Sequence, residues 1–87
     1  MKADRREALN RLSYIEGHLK GIRKMVEEDQ YCVDILKQTY AVQRAIQKLE
    51  TLIVRSHLAS CVPDAMQGDR RDEMIEELSQ LYELARK

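Results

Sequence analysis

Apolar residues return every three or four positions along most of this 87-residue chain, the spacing of helices that each bury one stripe. Ala8, Leu12, Ile15, Leu19, Ile22 and Val26 form a coiled-coil-type seam, which predicts a first helix over about 4–28. Carried further, that seam would bury Asp29, Gln43 and Gln47, whereas one restarted at Cys32, Ile35, Thr39, Val42, Ile46, Leu49 and Ile53 stays mostly apolar. The change of phase predicts a break at Glu28–Gln30, with Asp29 expected to cap a second helix over about 31–62 that Pro63 ends. Beyond Gly68, the repeat of Met74, Leu78, Leu81 and Ala85, flanked by Ile75 and Tyr82, predicts a third helix over about 70–86. Gly17 and Gly21 lie one turn apart, and that spacing suggests the close approach of another helix.

The expected fold is therefore all-α: a three-helix protomer occupying residues 1–87 as a single domain, with helices 1 and 2 in an antiparallel hairpin. Composition agrees, since Phe and Trp are absent and there are three glycines and one proline, a mixture poor in turn and sheet formers. A chain this short buries only about 60–65% of its unfolded surface, yet 44% of its residues are apolar, so oligomerisation is expected. Pairing of two hairpins would give a dimeric four-helix bundle. The longest aliphatic run is Leu52-Ile53-Val54, which predicts neither a signal peptide nor a membrane span. With two cysteines and no export signal, reduced thiols in the cytoplasm are expected.

Charge adds a partner to the picture. The 15 basic and 15 acidic residues cancel overall. Residues 1–24, however, hold Lys2, Arg5, Arg6, Arg11, Lys20, Arg23 and Lys24 against Asp4, Glu7 and Glu16, leaving the remainder acidic. On the second helix Lys37, Arg44, Lys48 and Arg55 share one face at about 120–160° on a wheel that starts at Cys32, opposite the seam at about 300°. Such a stripe is either a solvated face or a surface that reads phosphates. No nucleophile–base–orienter set and no phosphate-cradling glycine loop occurs, so neither an enzyme nor a small-molecule substrate is expected.

The candidate chemistry lies in Cys32, His57 and Cys61. On the same wheel His57 falls near 340° and Cys61 near 20°, so all three share a face, while Cys32 and His57 are roughly 37 Å apart along the axis. One copy cannot bring them to one ion; an antiparallel two-fold mate, with its axis near Ala45 and Ile46, would complete two sites at once. Two thiolates and an imidazole are soft donors suited to Cu(I) or Zn(II), although structural Zn(II) normally takes four ligands.

At this point a family resemblance emerges. Arg11-Leu12, Ile15-Glu16-Gly17, Gly21-Ile22, Met25 to Asp29, Tyr31-Cys32, Asp34-Ile35-Leu36, Ala41-Val42, His57-Leu58 and Cys61-Val62 resemble the signature of the copper-sensing operon repressor (CsoR-like) family. The resemblance implies a dimer of hairpins assembled into a homotetramer, binding operator DNA without a helix-turn-helix and releasing it when metal binds. It also implies a trigonal Cu(I) site with Cys32 from one subunit and His57 and Cys61 from the other. Tyr31 and Glu77 match residues that hydrogen-bond the free nitrogen of the metal-bound imidazole and couple metal to DNA. Arg11 and Lys48 match DNA-binding basic positions, where Arg is more usual than Lys at the second, and Lys20, Arg44, Arg5 and Arg6 join them as DNA-binding candidates. His18 stands where the family often has Gln, and is expected to be a surface residue.

Nickel- and cobalt-sensing relatives add a histidine in the N-terminal arm, and Met1–Asn10 has none. Formaldehyde-sensing relatives carry an acid where Cys61 stands, and persulfide-sensing ones lack the histidine. The expected function is a Cu(I)-sensing transcriptional repressor. The alternatives are a thiol- or persulfide-responsive repressor of the same fold, and a cytosolic copper-binding protein without a DNA role.

Overall fold

The computed structural model describes residues 5–86, so the expected first-helix residue Asp4 lies outside the described residues. Helix α1 spans Arg5–Glu27 and helix α2 spans Cys32–Ser56. A π-helical turn, His57–Cys61, joins α2 to the short α3, Val62–Met66, and a bend at Gly68 leads to α4, Arg71–Arg86. Because α2, the π turn and α3 follow without a break, three helical rods make up the described chain, the all-α architecture expected.

The α1–α2 turn differs from expectation. Asp29 does not cap α2; it lies in the left-handed region at φ 55° and closes α1. Gln30 N–H donates to Met25 O (3.0 Å) and Asp29 N–H to Val26 O (3.1 Å), the paired bonds of a Schellman ending, where a short polar residue tolerates the positive φ best after glycine. Tyr31 takes the N-cap position in extended geometry without a side-chain bond. Its carbonyl accepts from the N–H groups of Asp34 and Ile35 at 3.0 and 3.2 Å.

Ala8, Ile15, Val42 and Leu49 form the buried cluster of the hairpin, with Ile22, Ala45 and Leu52 packed against it. This line uses only part of the predicted seams. Leu12, Leu19 and Val26 on α1, and Ile46 and Ile53 on α2, stay exposed, because a single neighbour covers only one flank of each amphipathic helix. Nor does any helix press on the glycines of α1: no heavy atom outside the helix's own neighbouring backbone lies within 4 Å of a Cβ built at Gly17 or Gly21. His18 stays at the surface, as expected, but it is engaged there. It is half-buried, its Nε2–H donates across the hairpin to Gln38 Oε1 at 2.7 Å, and its ring meets the Tyr14 ring edge-on at 5.9 Å.

Pro63 does not end the helix, which runs on to Met66. A proline inside a helix lacks one N–H and crowds the carbonyl four residues earlier, here that of Ala59. The chain relieves this by opening one wide turn just upstream, where Val62 N–H donates to His57 O; π turns accommodate such local misfits. The rod then ends where Gln67 and Gly68 N–H groups donate to Pro63 O (3.2 Å) and Ala65 O (3.3 Å). Ala65 and Met74, 5% and 4% exposed, are the buried residues at the α3–α4 corner.

The protomer is far from closed. Its radius of gyration is 17.3 Å, against about 12 Å for a compact chain of this length. It exposes 7284 Å², whereas a compact monomer of 10.2 kDa exposes about 5300 Å². The surplus of about 2000 Å² includes the apolar residues Leu36, Tyr40, Ile46, Ile53, Val54 and Leu58, which run along α2 into the π turn. The face bearing Cys32, His57 and Cys61 is this uncovered one.

Candidate metal centre and anion groove

Cys32 is the first residue of α2, exposed and free, next to Tyr31 at the N-cap. His57 and Cys61, half-buried, are the first and last residues of the π turn. Cys61 Sγ lies 3.8 Å from Ser60 Oγ. The single hydroxyl hydrogen of Ser60 is given to Ser56 O at 2.7 Å, so the thiol is the donor in the sulfur contact. Among the described residues neither thiol is in a disulfide, and both remain available as soft donors.

The predicted residues are sorted into two distant groups. His57 and Glu77 line a single groove of about 500 Å³ between the end of α2 and α4, walled by Ile53, Val54, Leu58, Leu78, Leu81 and Leu84. Tyr31 and Cys32 stand at the far end of the same rod, about 37 Å away at 1.5 Å per residue. Among the described residues, therefore, no three His, Cys, Asp or Glu side chains gather as a metal site within one protomer. The donor set itself, two thiols and one imidazole, fits a soft monovalent copper ion. Each half lacks what the other end carries.

The basic candidates are also sorted. Arg11 from α1 and Arg44 and Lys48 from α2 line one groove of about 480 Å³, together with Glu7, Asn10 and Tyr14. A neighbouring groove shares Glu7, Arg11 and Lys48 and adds Arg55. Arg5, Arg6 and Lys20 are exposed on α1 and line neither groove. Arg23 and Lys24 pair with Glu27 (2.9 Å) and Glu28 (3.9 Å), which cancels part of the positive charge of the first helix. Sequence reasoning missed Glu7 and Tyr14; their spacing of seven residues, either side of Arg11, was the available signal.

Known proteins bear directly on this arrangement. Residues 4–83 match the family described as metal-sensitive transcriptional repressors. The copper-sensing transcriptional repressor CsoR of Mycobacterium tuberculosis is 41% identical over 78 residues, 90% of this chain and 66% of that one. This chain thus spans slightly less than two thirds of the length of the mycobacterial relative. The Bacillus subtilis CsoR is 42% identical over 73 residues, covering 84% of this chain and 72% of its own. Among solved structures, the copper-sensing repressor CsoR with Cu(I) from Geobacillus thermodenitrificans superposes with a TM-score of 0.91 at 31% identity, over 100% of this chain and 91% of that one. The nickel-responsive transcriptional regulator InrS superposes at 0.76 and 30% identity, over 95% and 93%. These are regulators rather than enzymes, and with nearly the whole chain matched, this protein belongs to the metal-sensitive transcriptional repressor family.

Proposed function

We propose that the chain is a Cu(I)-responsive repressor that holds operator DNA when metal-free and releases it when Cu(I) binds between subunits. One observation carries the reading: Cys32 and the His57/Cys61 pair lie at opposite ends of the face that α1 leaves uncovered. An antiparallel second copy on that face makes two Cys-His-Cys sites by symmetry. There Cys32 of one subunit and His57 and Cys61 of the other would hold Cu(I), whose soft-ligand chemistry would tie the two subunits together. Its identity is supported by the relatives named as copper-sensing and by a donor set rich in sulfur.

His57 and Glu77 share a groove within one protomer, and Tyr31 arrives with Cys32 from the second copy. A ligand-bound imidazole keeps one ring nitrogen free to donate, and Glu77 and Tyr31 are the groups able to receive or orient it. Because Glu77 is on α4, that contact connects the centre to a helix outside the hairpin. DNA is held by phosphate contacts from Arg11, Arg44 and Lys48, with Arg5, Arg6 and Lys20 contributing long-range attraction. Two dimers assemble into the tetramer that presents these grooves. A transcriptional regulator with reduced thiols works in the cytoplasm, and no described helix is long and apolar enough to cross a membrane.

Subunit complementation tests the reading. Cys32→Ala and the double variant His57→Ala/Cys61→Ala should each lose tight Cu(I) binding, and their mixed dimers should regain one site per dimer. Absence of any recovered site, with subunit exchange verified, would exclude an intersubunit centre.

A further inference from the structure

The two basic grooves hold one carboxylate between them. Arg11, Arg44, Lys48 and Arg55 line the pair, and among the described residues Glu7 is the only acidic one lining either. Glu7 Oε1 accepts from Arg11 Nη2 at 3.0 Å, whereas Arg44, Lys48 and Arg55 form no ion pair among the described residues. Glu7 holds one of the two Nη groups of Arg11, Nη2. The Nε of Arg11 is buried with no hydrogen-bond partner, so an incoming phosphate is left with the two Nη groups, and a bidentate grip on both must displace Glu7 from Nη2. Carboxylate and phosphate present the same planar-fork acceptor geometry to arginine.

We propose that Glu7 is an internal competitor for the DNA phosphate at Arg11, a residue that sets how strongly a polyanion must bind before the groove accepts it. The proposal rests on the reading of this groove as the DNA surface. When a phosphate arrives, the Glu7–Arg11 bond breaks, the carboxylate turns to solvent, and Arg11 joins the free cations Arg44 and Lys48. A single weakly held anion does not displace Glu7; a duplex, which offers several phosphates to neighbouring cations at once, does.

The test is a double-mutant cycle on operator affinity, read by fluorescence anisotropy of a labelled duplex at several salt concentrations, with folding checked by circular dichroism. Glu7→Gln should raise affinity about three- to tenfold, from loss of an i,i+4 pair and of Coulomb repulsion toward phosphate, and should steepen the salt dependence by up to about one unit of log–log slope. In an Arg11→Ala background only the repulsion part survives, so the same change should give a clearly smaller gain. Glu16→Gln removes an exposed α1 carboxylate that lines neither groove and reports the effect of net charge alone; it should give less than about twofold. If Glu7→Gln brings no gain, or the gain survives Arg11→Ala undiminished, Glu7 does not compete for Arg11 and the proposal is overturned. If Arg11→Ala and Lys48→Ala leave affinity at the wild-type value, the DNA surface itself is misplaced, and the proposal falls with it by a result distinct from the other two.

Discussion

Ile46→Glu should take the proposed dimer apart. Ile46 is 38% exposed in the protomer, on the uncovered face and at the midpoint between the ligand ends, where a two-fold axis brings each residue against its own mate. Burying the remaining part of an isoleucine side chain contributes about 1 kcal/mol per protomer, hence about 2 kcal/mol per dimer. Two carboxylates facing each other in place of that contact add several kcal/mol of repulsion and lost hydration. A total of about 5 kcal/mol weakens the dimer by a factor of about 10³–10⁴. If the proposed dimer covers the protomer's surplus exposed area of about 2000 Å², its contact reaches the range of obligate interfaces. Sedimentation velocity across a concentration series measures the change, and Cu(I) competition titration should show both sites lost with it. Mixing Ile46→Glu with Ile46→Lys should restore association through opposite charges. An Ile46→Glu protein that sediments as the wild type and keeps its Cu(I) affinity would refute both the axis position and the intersubunit site.

Arg11→Ala and Lys48→Ala should each weaken DNA binding about tenfold on all sequences and flatten the salt slope, while Cu(I) affinity of the free protein stays put; anisotropy titrations on operator and scrambled duplexes check this. Glu77→Gln should leave Cu(I) bound with unchanged spectroscopy but shrink the coupling between Cu(I) and DNA, measured as Cu(I) affinity with and without operator, each tenfold in coupling being about 1.4 kcal/mol. At the α1 end, where Asp29 has φ 55°, Asp29→Gly should hold or raise thermal stability. Asp29→Val should lower it by about 1–2 kcal/mol, read from denaturant midpoints.

The hairpin was legible in the sequence because a change of phase in an apolar repeat reports a break, whatever the details of the turn. What the repeat could not tell was which flank of each seam faces its own chain. Leu12 and Ile15 belong to one stripe by periodicity, yet Ile15 is 6% exposed and Leu12 39%, because the stripe is wider than a single partner helix. That Cys32, His57 and Cys61 share one side of the rod was readable for the same geometric reason, since angles along one helix need no tertiary information. Asp29 was misassigned because a short polar residue serves equally at the start of one helix and the left-handed end of another, and the choice depends on hydrogen bonds to Met25 and Val26.

Pro63 shows the same ambiguity with a larger consequence. A proline forbids one hydrogen bond but does not dictate whether the helix stops or opens upstream, and here it opens over His57–Cys61. A turn closed by five-residue bonds rotates its residues less per step than an α turn, so the angle between His57 and Cys61 differs from the one an ideal helix would impose. The hydroxyl of Ser60 ties this turn to the carbonyl of Ser56 and at the same time receives the Cys61 thiol. In the proposed centre the wide turn upstream of the proline would thus set the relative aim of His57 and Cys61, while Cys32, at the other end of the rod, would come from a second copy.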